Sequence, residues 1–407
     1  MSAVFERYLD LQYPSVERGE GVRLYLEDGR EILDACGGGA MVACLGHGLE
    51  PVITRAAEQA EQLAYYYFHA FTNEPQERLA QRLIATAPEM ARVRFTSGGS
   101  EANEMALRLV RQYFVDRGQP ERWQIVSPAQ AYHGSTLGTL GLPGRPALQY
   151  PFGEYLPGHL HIPPGDLDAL DEVLDDSVAA FFCEPVSAAS YPAYSPSDDF
   201  WRGLEERRKE HGFLVVFDEV VTGMGRTGSW FAYQQLPLVP DIVSGGKGLG
   251  AGYAPLAAVL CTQQVFDAIT EFEHGHTWDG APLSCAVGLA VLAELQERGL
   301  VDRVRERGPS LRDELEVAVA GLGIVQEVRG RGFLLGIELR DVPGHSAALV
   351  DDVALEHGVL VTSINASADG YTGHQTLLAP AFTSTDEELS EMVSRIAEAL
   401  ADVEKRL

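Results

Sequence analysis

The sequence is poor in cysteine and in positive charge, and both shortages exclude classes of protein. Five cysteines occur in 407 residues, widely spaced and without a C-x-x-C pair, so neither a disulfide framework nor a cysteine-based zinc site is predicted. Lysine and arginine number 31 against 59 aspartates and glutamates, which gives a net charge of −28. Such an acidic chain is not expected to bind nucleic acid or anionic membranes, and its charge is typical of a highly soluble protein.

Long hydrophobic runs are missing as well. No stretch approaches the roughly 20 apolar residues of a membrane-spanning helix. The first residues, MSAVFERYLD, carry charges where a signal peptide needs an apolar segment. We therefore expect a soluble, cytoplasmic protein with reduced thiols. The chain is long enough for one large domain and one smaller domain.

Polar or glycine-rich turns follow several predicted strands, near residues 97, 127, 184, 218 and 244, and helices are predicted between them. This alternation is typical of a parallel α/β sheet, in which ligands bind at the carboxyl ends of the strands. We also predict a β-hairpin over residues 21–34 that turns at Asp28-Gly29. Towards the C terminus the pattern predicts helices near 300–320 and 345–357 and strands near 323–329, 333–339, 358–362 and 375–379.

A lone lysine lies in the glycine-rich segment SGGKGLG. Lys247 has no carboxylate near it in sequence, and the strand over residues 213–217 delivers Asp218 to the same predicted sheet edge. A free lysine amine with an aspartate close by suits Schiff-base formation with pyridoxal phosphate (PLP), whose ring nitrogen the aspartate keeps protonated. The segment alone also fits a flexible surface loop or a phosphate-binding turn.

Two glycines, Gly98 and Gly99, precede a helix that we predict to begin at Glu101. A helix amino end that follows a glycine turn attracts an anion such as a phosphate, because its backbone N–H groups are unpaired and the helix dipole is positive there. Glu101 and Glu104 suit the same dipole, so plain capping of the helix is an alternative.

Metal binding is not predicted. His274, His276 and Asp279 offer suitable groups, but their loop has no helix that would fix two of them at i and i+4. His47, in a glycine-rich loop, is read as a structural histidine.

Six motifs, in this order, resemble the class III aminotransferases, which are PLP-dependent enzymes of fold type I. They are SGGSEANEMALRLVRQY (97–113), YHGSTLG (132–138), EPV (184–186), DEVVTGMGRTG (218–228), GGKGLGAGYAPLAAV (245–259) and GHTWDGAPLSCA (275–286). The resemblance extends over nearly the whole chain. It implies an α/β fold with a large PLP-binding domain, residues 51–300, whose mainly parallel, seven-stranded sheet lies between helices. A smaller α+β domain would be built from both chain ends, residues 1–50 and 301–407.

The resemblance also implies which residues meet the cofactor. Lys247 would bind its aldehyde, and Asp218 would pair with the pyridine nitrogen; these two are the implied catalytic residues. Val220 would pack on one face of the ring and Tyr132 on the other.

Further cofactor contacts are implied outside the ring. Gly99 and Ser100 would hold the phosphate. His133 and Glu184 would also belong to the cofactor-binding residues. Thr277 would reach the phosphate of the neighbouring subunit, which would make each active site a shared property of a homodimer.

The implied enzyme is an aminotransferase that moves an amino group from an amine or amino acid donor to a carbonyl acceptor in two half-reactions. Two alternatives stay open at this point. One is an aminomutase, racemase or lyase of the same family, and the other is a non-catalytic binding protein on the same scaffold. The presence of both Lys247 and Asp218 counts against the second alternative.

Both arginines that usually bind a substrate carboxylate in such enzymes are absent. The chain has no Arg or Lys between Arg340 and Arg395, and Thr372 lies where similar sequences often carry the first arginine. Ser135 takes the place of the second, which follows the YHG-like motif in some relatives. We therefore expect at least one substrate without a carboxylate at the usual place. Arg145 or an arginine of the partner subunit is the alternative anchor.

Overall fold

The computed structural model describes residues 3–5, 11–145, 149, 152, 157–188, 191, 193–364 and 374–407. Thr372 therefore lies outside the described residues. The strands are β1 (Val16–Glu20), β2 (Arg23–Leu26), β3 (Glu31–Asp34), β4 (Arg92–Thr96), β5 (Gln124–Pro128), β6 (His159–Ile162), β7 (Val178–Cys183), β8 (Leu214–Glu219), β9 (Ile242–Gly245), β10 (Ala257–Cys261), β11 (Val325–Arg331), β12 (Leu334–Leu339), β13 (Val359–Leu360), β14 (Thr362–Ile364) and β15 (His374–Leu378).

The α-helices are α1 (Glu50–Gln62), α2 (Glu74–Thr86), α3 (Gly99–Asp116), α4 (Leu137–Gly141), α5 (Leu167–Val173), α6 (Asp198–His211), α7 (Gln263–Ala268), α8 (Pro282–Glu297), α9 (Leu300–Val319), α10 (Ala347–Glu356) and α11 (Asp386–Arg406). Several begin at a side chain that accepts a hydrogen bond from a first-turn amide: Asn73, Asp166, Ser197, Thr262, Ser346 and Thr385. Each such cap stabilises its helix by about 1 kcal/mol. None of the helices in the described ranges is long and apolar enough to cross a membrane.

The central sheet has the strand order β4-β10-β9-β8-β7-β5-β6 in the described part of the chain. Strands β9, β8, β7, β5 and β6 run parallel, while β10 is antiparallel to both of its neighbours. Every residue of β7 and β8 is buried, as expected for parallel strands covered on both faces. Phe182 packs with α3 on one face, and Phe181 packs with α6 on the other. The predicted mainly parallel sheet is confirmed.

Two smaller sheets, of order β1-β2-β3-β13 and β11-β12-β15-β14, flank the central sheet in sequence. The predicted hairpin is confirmed as antiparallel β2 and β3, with Gly29 at a φ of +86° in its turn. The strand predicted over 358–362 is instead two short strands. Leu360 pairs with Asp34 of β3, whereas Thr362 pairs with Leu377 of β15. A single residue therefore carries the chain from one sheet to the other. The domain limits at 50 and 300 stay a prediction.

The helix predicted from Glu101 begins two residues earlier, at Gly99. Gly98 is the N-cap residue, with an extended backbone, so Gly99 and Ser100 already have helical geometry. Glycine and serine give no helical signal by propensity, which explains the displaced start. The earlier start places Gly99 and Ser100 in the first turn of α3.

Candidate active site

Gly246 alone separates Lys247 from the end of β9, and Lys247 opens the one-turn 3-10 helix Lys247–Leu249. Its φ is +42°, in the left-handed region that residues other than glycine rarely adopt. Burial lowers the pKa of the Lys247 amine, while the nearby carboxylates of Asp218 and Glu184 act in the opposite direction. A buried amine with a lowered pKa is more readily available in the neutral form that attacks a carbonyl carbon.

Asp218 lies near the end of β8 and pairs in register with Ser244 of the neighbouring parallel strand β9. Its Oδ2 accepts a hydrogen bond from Asn103 Nδ2 at 2.7 Å and lies 2.9 Å from His133 Nδ1. Its Oδ1 accepts one from the backbone amide of Val220 at 3.0 Å. Three donors therefore hold this buried carboxylate in a single orientation.

Asn103 joins four elements around this carboxylate. Besides Asp218, its Nδ2 donates to the His133 carbonyl oxygen at 2.7 Å, and its Oδ1 accepts from the Ser244 hydroxyl at 2.5 Å. Sequence reasoning missed this residue. The available signal was a polar side chain on the apolar face of α3, next to the buried Ala102.

His133 is buried behind Asp218, and its ring packs edge to face against Phe182 with centroids 4.9 Å apart. Since a carboxylate can only accept here, the hydrogen bond at 2.9 Å requires the proton on Nδ1. The other nitrogen, Nε2, is buried and has no hydrogen-bond partner among the described residues. His133 thus donates a hydrogen bond to Asp218 and stabilises the negative charge of that carboxylate.

Gly99 and Ser100 form the first turn of α3, where backbone amides have no intrahelical partner. A Cβ on Gly99 would lie 2.8 Å from Val220 Cγ1, and a Cβ on Gly134 would lie 2.5 Å from Ser100 Oγ. Ser100 Oγ also accepts the backbone amide of Ser135 at 3.1 Å. The two glycines allow these segments to approach closely beside the first-turn amides of α3, which we call the amide surface.

Glu101 was the basis of the capping alternative. Its carboxylate accepts the backbone amide of Ser97 at 2.9 Å. Glu101 therefore closes the turn before the helix and does not bond the amides of Gly99 and Ser100.

Val220 connects the amide surface to the lysine segment. A Cβ on Gly99 would lie 2.8 Å from it, and a Cβ on Gly246 would lie 3.3 Å from it. Tyr132 lies in the loop between β5 and α4, 37% exposed, with its hydroxyl 3.3 Å from Ser135 Oγ. The structure thus brings Val220 close to both predicted parts of the site and leaves the Tyr132 ring accessible.

Glu184 follows β7 immediately. It accepts hydrogen bonds from the Ser187 hydroxyl at 3.2 Å and the Ala188 amide at 3.1 Å. Burial raises the pKa of Glu184 to about 7, while His133 and Lys247 act in the opposite direction. The carboxylate is therefore electrostatically coupled to the lysine.

Thr277 lies apart from these residues, on an exposed loop before α8. Within the described part of the chain its side chain makes no hydrogen bond, and no contact joins it to Lys247 or Asp218. Its neighbour Trp278 is 56% exposed and packs edge to face against Tyr65, with ring centroids 5.9 Å apart.

The sequence model of the class III aminotransferases matches residues 7–400. The chain belongs to the class III aminotransferase family. This aminotransferase is 35% identical to the acetylornithine aminotransferase of Rhodobacter capsulatus over 95% of each chain. It is 33% identical to the uncharacterized aminotransferase YodT of Bacillus subtilis over 98% of this chain and 97% of the relative. An amine transaminase from an uncultivated Pseudomonas species, solved in its PLP-bound form, has a TM-score of 0.88 at 31% identity, covering 96% of this chain and 95% of that one.

The family confirms the expected fold type I architecture and the expected cofactor, because class III aminotransferases depend on PLP. The comparisons support transamination of a small amino donor and a keto acceptor, and they do not support the aminomutase, racemase, lyase or non-catalytic alternatives. The residues of this aminotransferase fit PLP. An amide surface for a phosphate, an oriented carboxylate on Asp218 and the Lys247 amine all lie at one edge of the sheet.

Proposed function

We propose that Lys247 carries the PLP of this transaminase and that Asp218 pairs with the pyridine nitrogen. The observation that supports this best is that β8 and β9 are adjacent parallel strands, so that their carboxyl ends deliver both residues to one edge of the sheet. When bound, PLP supplies an aldehyde that binds amines covalently and a protonated ring that accepts electrons.

The surrounding residues then have defined tasks. The amides of Gly99 and Ser100 would bind the phosphate, and Val220 and Tyr132 would pack against the ring. The Lys247 amine, when free of the cofactor, would act as the base that moves a proton of the substrate. Its lowered pKa favours the neutral base that this transfer requires. His133 would act through Asp218, whose negative charge would favour a protonated ring nitrogen.

The small number of lysines makes the assignment easy to test. The chain has three, and the other two are Lys209 and Lys405. Borohydride reduction of the purified protein should fix the cofactor to the peptide that contains Lys247. The variants Lys209→Arg and Lys405→Arg serve as matched controls and should stay yellow, whereas Lys247→Arg should lose the covalent label. Labelling at either of the other lysines would contradict the proposal.

We further propose a homodimer in which Thr277 reaches the cofactor phosphate of the partner subunit. Support comes from large exposed apolar side chains: Trp278 next to Thr277, Tyr65 in contact with Trp278, and Tyr67 and Phe71 shortly after Tyr65 in the chain. A monomer rarely leaves such side chains uncovered.

Mixed dimers of Lys247→Ala and Thr277→Glu subunits test the shared site. One of their two sites would combine the intact lysine of one chain with the intact threonine of the other. Recovery of activity is expected only if sites are shared. Verified mixed dimers without recovery would show that each chain builds its own site.

For the donor we propose an amine that lacks a carboxylate at the usual place. Ser135, which replaces one usual arginine, uses its backbone amide to bond Ser100. The alternative anchor, Arg145, donates to Gln130 Oε1 at 3.3 Å. Bleaching of the cofactor absorbance with a panel of amines and amino acids is the test. If glutamate or ornithine reacts far faster than every simple amine, the proposal is wrong.

We also propose a cytoplasmic location. All five cysteines, at 36, 44, 183, 261 and 285, are buried free thiols, and burial raises the pKa of each. A reducing compartment preserves such thiols. Fractionation of the source cells is the direct test, and recovery outside the cytoplasm would contradict it.

A further inference from the structure

The loop that bears Thr277 is held by hydrogen bonds on both sides of that residue. Arg94, in the middle of β4, donates to the backbone carbonyl of His274 through Nη2. The same guanidinium bonds Asp279 Oδ2, from Nη2 at 3.2 Å and from Nε at 3.3 Å. One side chain therefore binds the loop shortly before Thr277 and again shortly after it.

Further contacts hold the part of the loop that follows Thr277. The Tyr66 hydroxyl lies 3.1 Å from the Asp279 carbonyl oxygen, and Asn73 Nδ2 donates to the Gly280 carbonyl oxygen at 3.0 Å. Gly280 has a φ of +60°, and a Cβ there would collide with Gln76 Oε1, so this position requires glycine. These contacts leave the chain little freedom after Asp279.

Thr277 lies at the tip of the held segment. The Asp279 amide donates to the His276 carbonyl oxygen at 3.0 Å, which closes a β-turn over 276–279 with Thr277 as its second residue. Thr277 and Trp278 are exposed, whereas Asp279 is buried. The loop thus presents Thr277 at the surface on a base that its own chain fixes, which suits a residue that acts on another subunit.

The ion pair of Arg94 and Asp279 is the charged part of this base. The Asp279 side chain is 7% exposed and that of Arg94 is 35% exposed. Burial raises the pKa of Asp279, while the His276 amide and the guanidinium oppose that rise. A buried carboxylate depends on its partner cation, because an unpaired charge is strongly disfavoured away from water. Loss of the guanidinium would therefore release Asp279 towards water, together with the turn that carries Thr277.

Arg94 also lies close in sequence to the cofactor site of its own chain. Strand β4 ends at Thr96, and α3, which supplies the amide surface, begins at Gly99. A change of Arg94 can therefore act on a phosphate within its own subunit, through β4, or in the partner, through Thr277. The contacts favour the second route, since in the described part of the chain the Arg94 side chain bonds the Thr277 loop and forms no hydrogen bond with residues 97–100.

We propose that Arg94 is a positioning residue for the partner's cofactor: it holds Asp279 and the His274 carbonyl so that Thr277 faces the phosphate bound in the neighbouring subunit. The inference rests on the proposed homodimer with shared sites. It gives β4 a task in both active sites, because the strand leads to the amide surface of its own chain and carries the residue that supports the partner's site.

Titration of the apoenzyme with PLP tests this role. Thr277→Ala removes a hydroxyl that would donate to a charged phosphate and should raise the dissociation constant about tenfold. Arg94→Met keeps an unbranched side chain without its donors and should raise the constant by a similar factor. In the double variant the two effects should not add, because Arg94 acts through Thr277. The matched control on the same strand is Arg92→Met. Arg92 donates to the Ala91 carbonyl, and its loss should change the affinity by less than about twofold.

Mixed dimers show in which subunit Arg94 acts. When an Arg94→Met chain pairs with a Lys247→Ala chain, the one site with a lysine receives Thr277 from a chain whose Arg94 is intact. That site should bind PLP as tightly as wild type. When both substitutions lie on one chain and the other chain is wild type, the lysine site receives the altered loop and should bind PLP about tenfold more weakly. Borohydride fixation of PLP to Lys247 reports on that site alone.

A defect that stays with the Arg94→Met chain would overturn the inference, and so would an unchanged affinity of the Arg94→Met homodimer or effects that add in the double variant. The same two mixed dimers made with Thr277→Ala test the proposed function separately, since a Thr277 defect confined to its own chain would refute the shared site. If Arg94→Met does not fold, Asp279→Asn removes the charge at nearly constant shape, and its defect should likewise appear in the partner's site.

Discussion

Replacing Asn103 by leucine should destabilise this transaminase and loosen its hold on the cofactor. Leucine has nearly the same size but no polar atoms. The substitution removes the hydrogen bonds to Asp218 and to the His133 carbonyl, both 2.7 Å, and the one from Ser244 at 2.5 Å. Asn103 and Ser244 are buried, so water cannot easily replace the lost partners.

The magnitude follows from the groups left behind. A buried polar group without its partner costs about 1–3 kcal/mol. The Ser244 hydroxyl and the His133 carbonyl lose a bond, whereas Asp218 keeps the bonds from His133 and Val220. We therefore expect the free energy of unfolding to fall by about 2–5 kcal/mol, less than the full sum because the hydroxyl can rotate towards another acceptor.

Urea unfolding of the apoenzyme measures the stability, and titration of the apoenzyme with PLP measures affinity. The matched control is Gln112→Leu on the same helix, which loses one bond to Asp116 and should change stability by less than about 1 kcal/mol. If Asn103→Leu unfolds like wild type and binds PLP equally tightly, the network does not orient Asp218.

Three further predictions address other parts of the molecule. Gly134→Ala should weaken PLP binding at least about tenfold, because its φ is +125° and its Cβ would lie 2.5 Å from Ser100 Oγ; apoenzyme titration would refute this if the affinity is unchanged. Arg226→Met should lower the free energy of unfolding by about 2–4 kcal/mol, since this buried guanidinium donates to the carbonyls of Phe333 and Pro380 at 2.9 and 2.6 Å; a loss below about 1 kcal/mol in urea unfolding would contradict it. Burial raises the pKa of Glu219 from 4.5 to about 7. The folded state therefore binds this proton more tightly than the unfolded chain, and the resulting stability is complete below about pH 4.5 and lost as the pH rises through 7, by about 3 kcal/mol in total. Glu219→Gln should flatten the urea stability profile between pH 5 and 8, and a profile parallel to that of wild type would disprove this account.

The sequence predicts the positions of Lys247 and Asp218 well because each depends on local signals. A glycine-rich segment after an apolar run places the lysine, and the end of a β-branched run places the aspartate. The residues that orient these groups are harder to find. Asn103 and Asp218 are far apart in the chain, and only the arrangement of the strands brings α3 next to β8.

The fold, too, is predicted well where local signals decide and poorly where contacts between distant segments decide. Strands and helices with clear hydrophobic periodicity lie within a few residues of their predicted places, as for α9 and α10. Strand β6 was not predicted, because its sequence HLHI alternates too briefly. The break between Leu360 and Thr362 was also missed, since partner choice depends on distant segments and not on local propensity.

The pairing of Val359 with Leu33 has a consequence for biosynthesis. At roughly 5–20 residues per second, the ribosome releases Val359 tens of seconds after Leu33. During that interval the edge of β3 that later pairs with β13 has no partner. Exposed strand edges attract other chains, so the nascent protein is most prone to aggregation before its last fifty residues emerge. Because β13 pairs with a strand that is distant in sequence, we also expect this pairing to form in a late phase when the unfolded protein refolds.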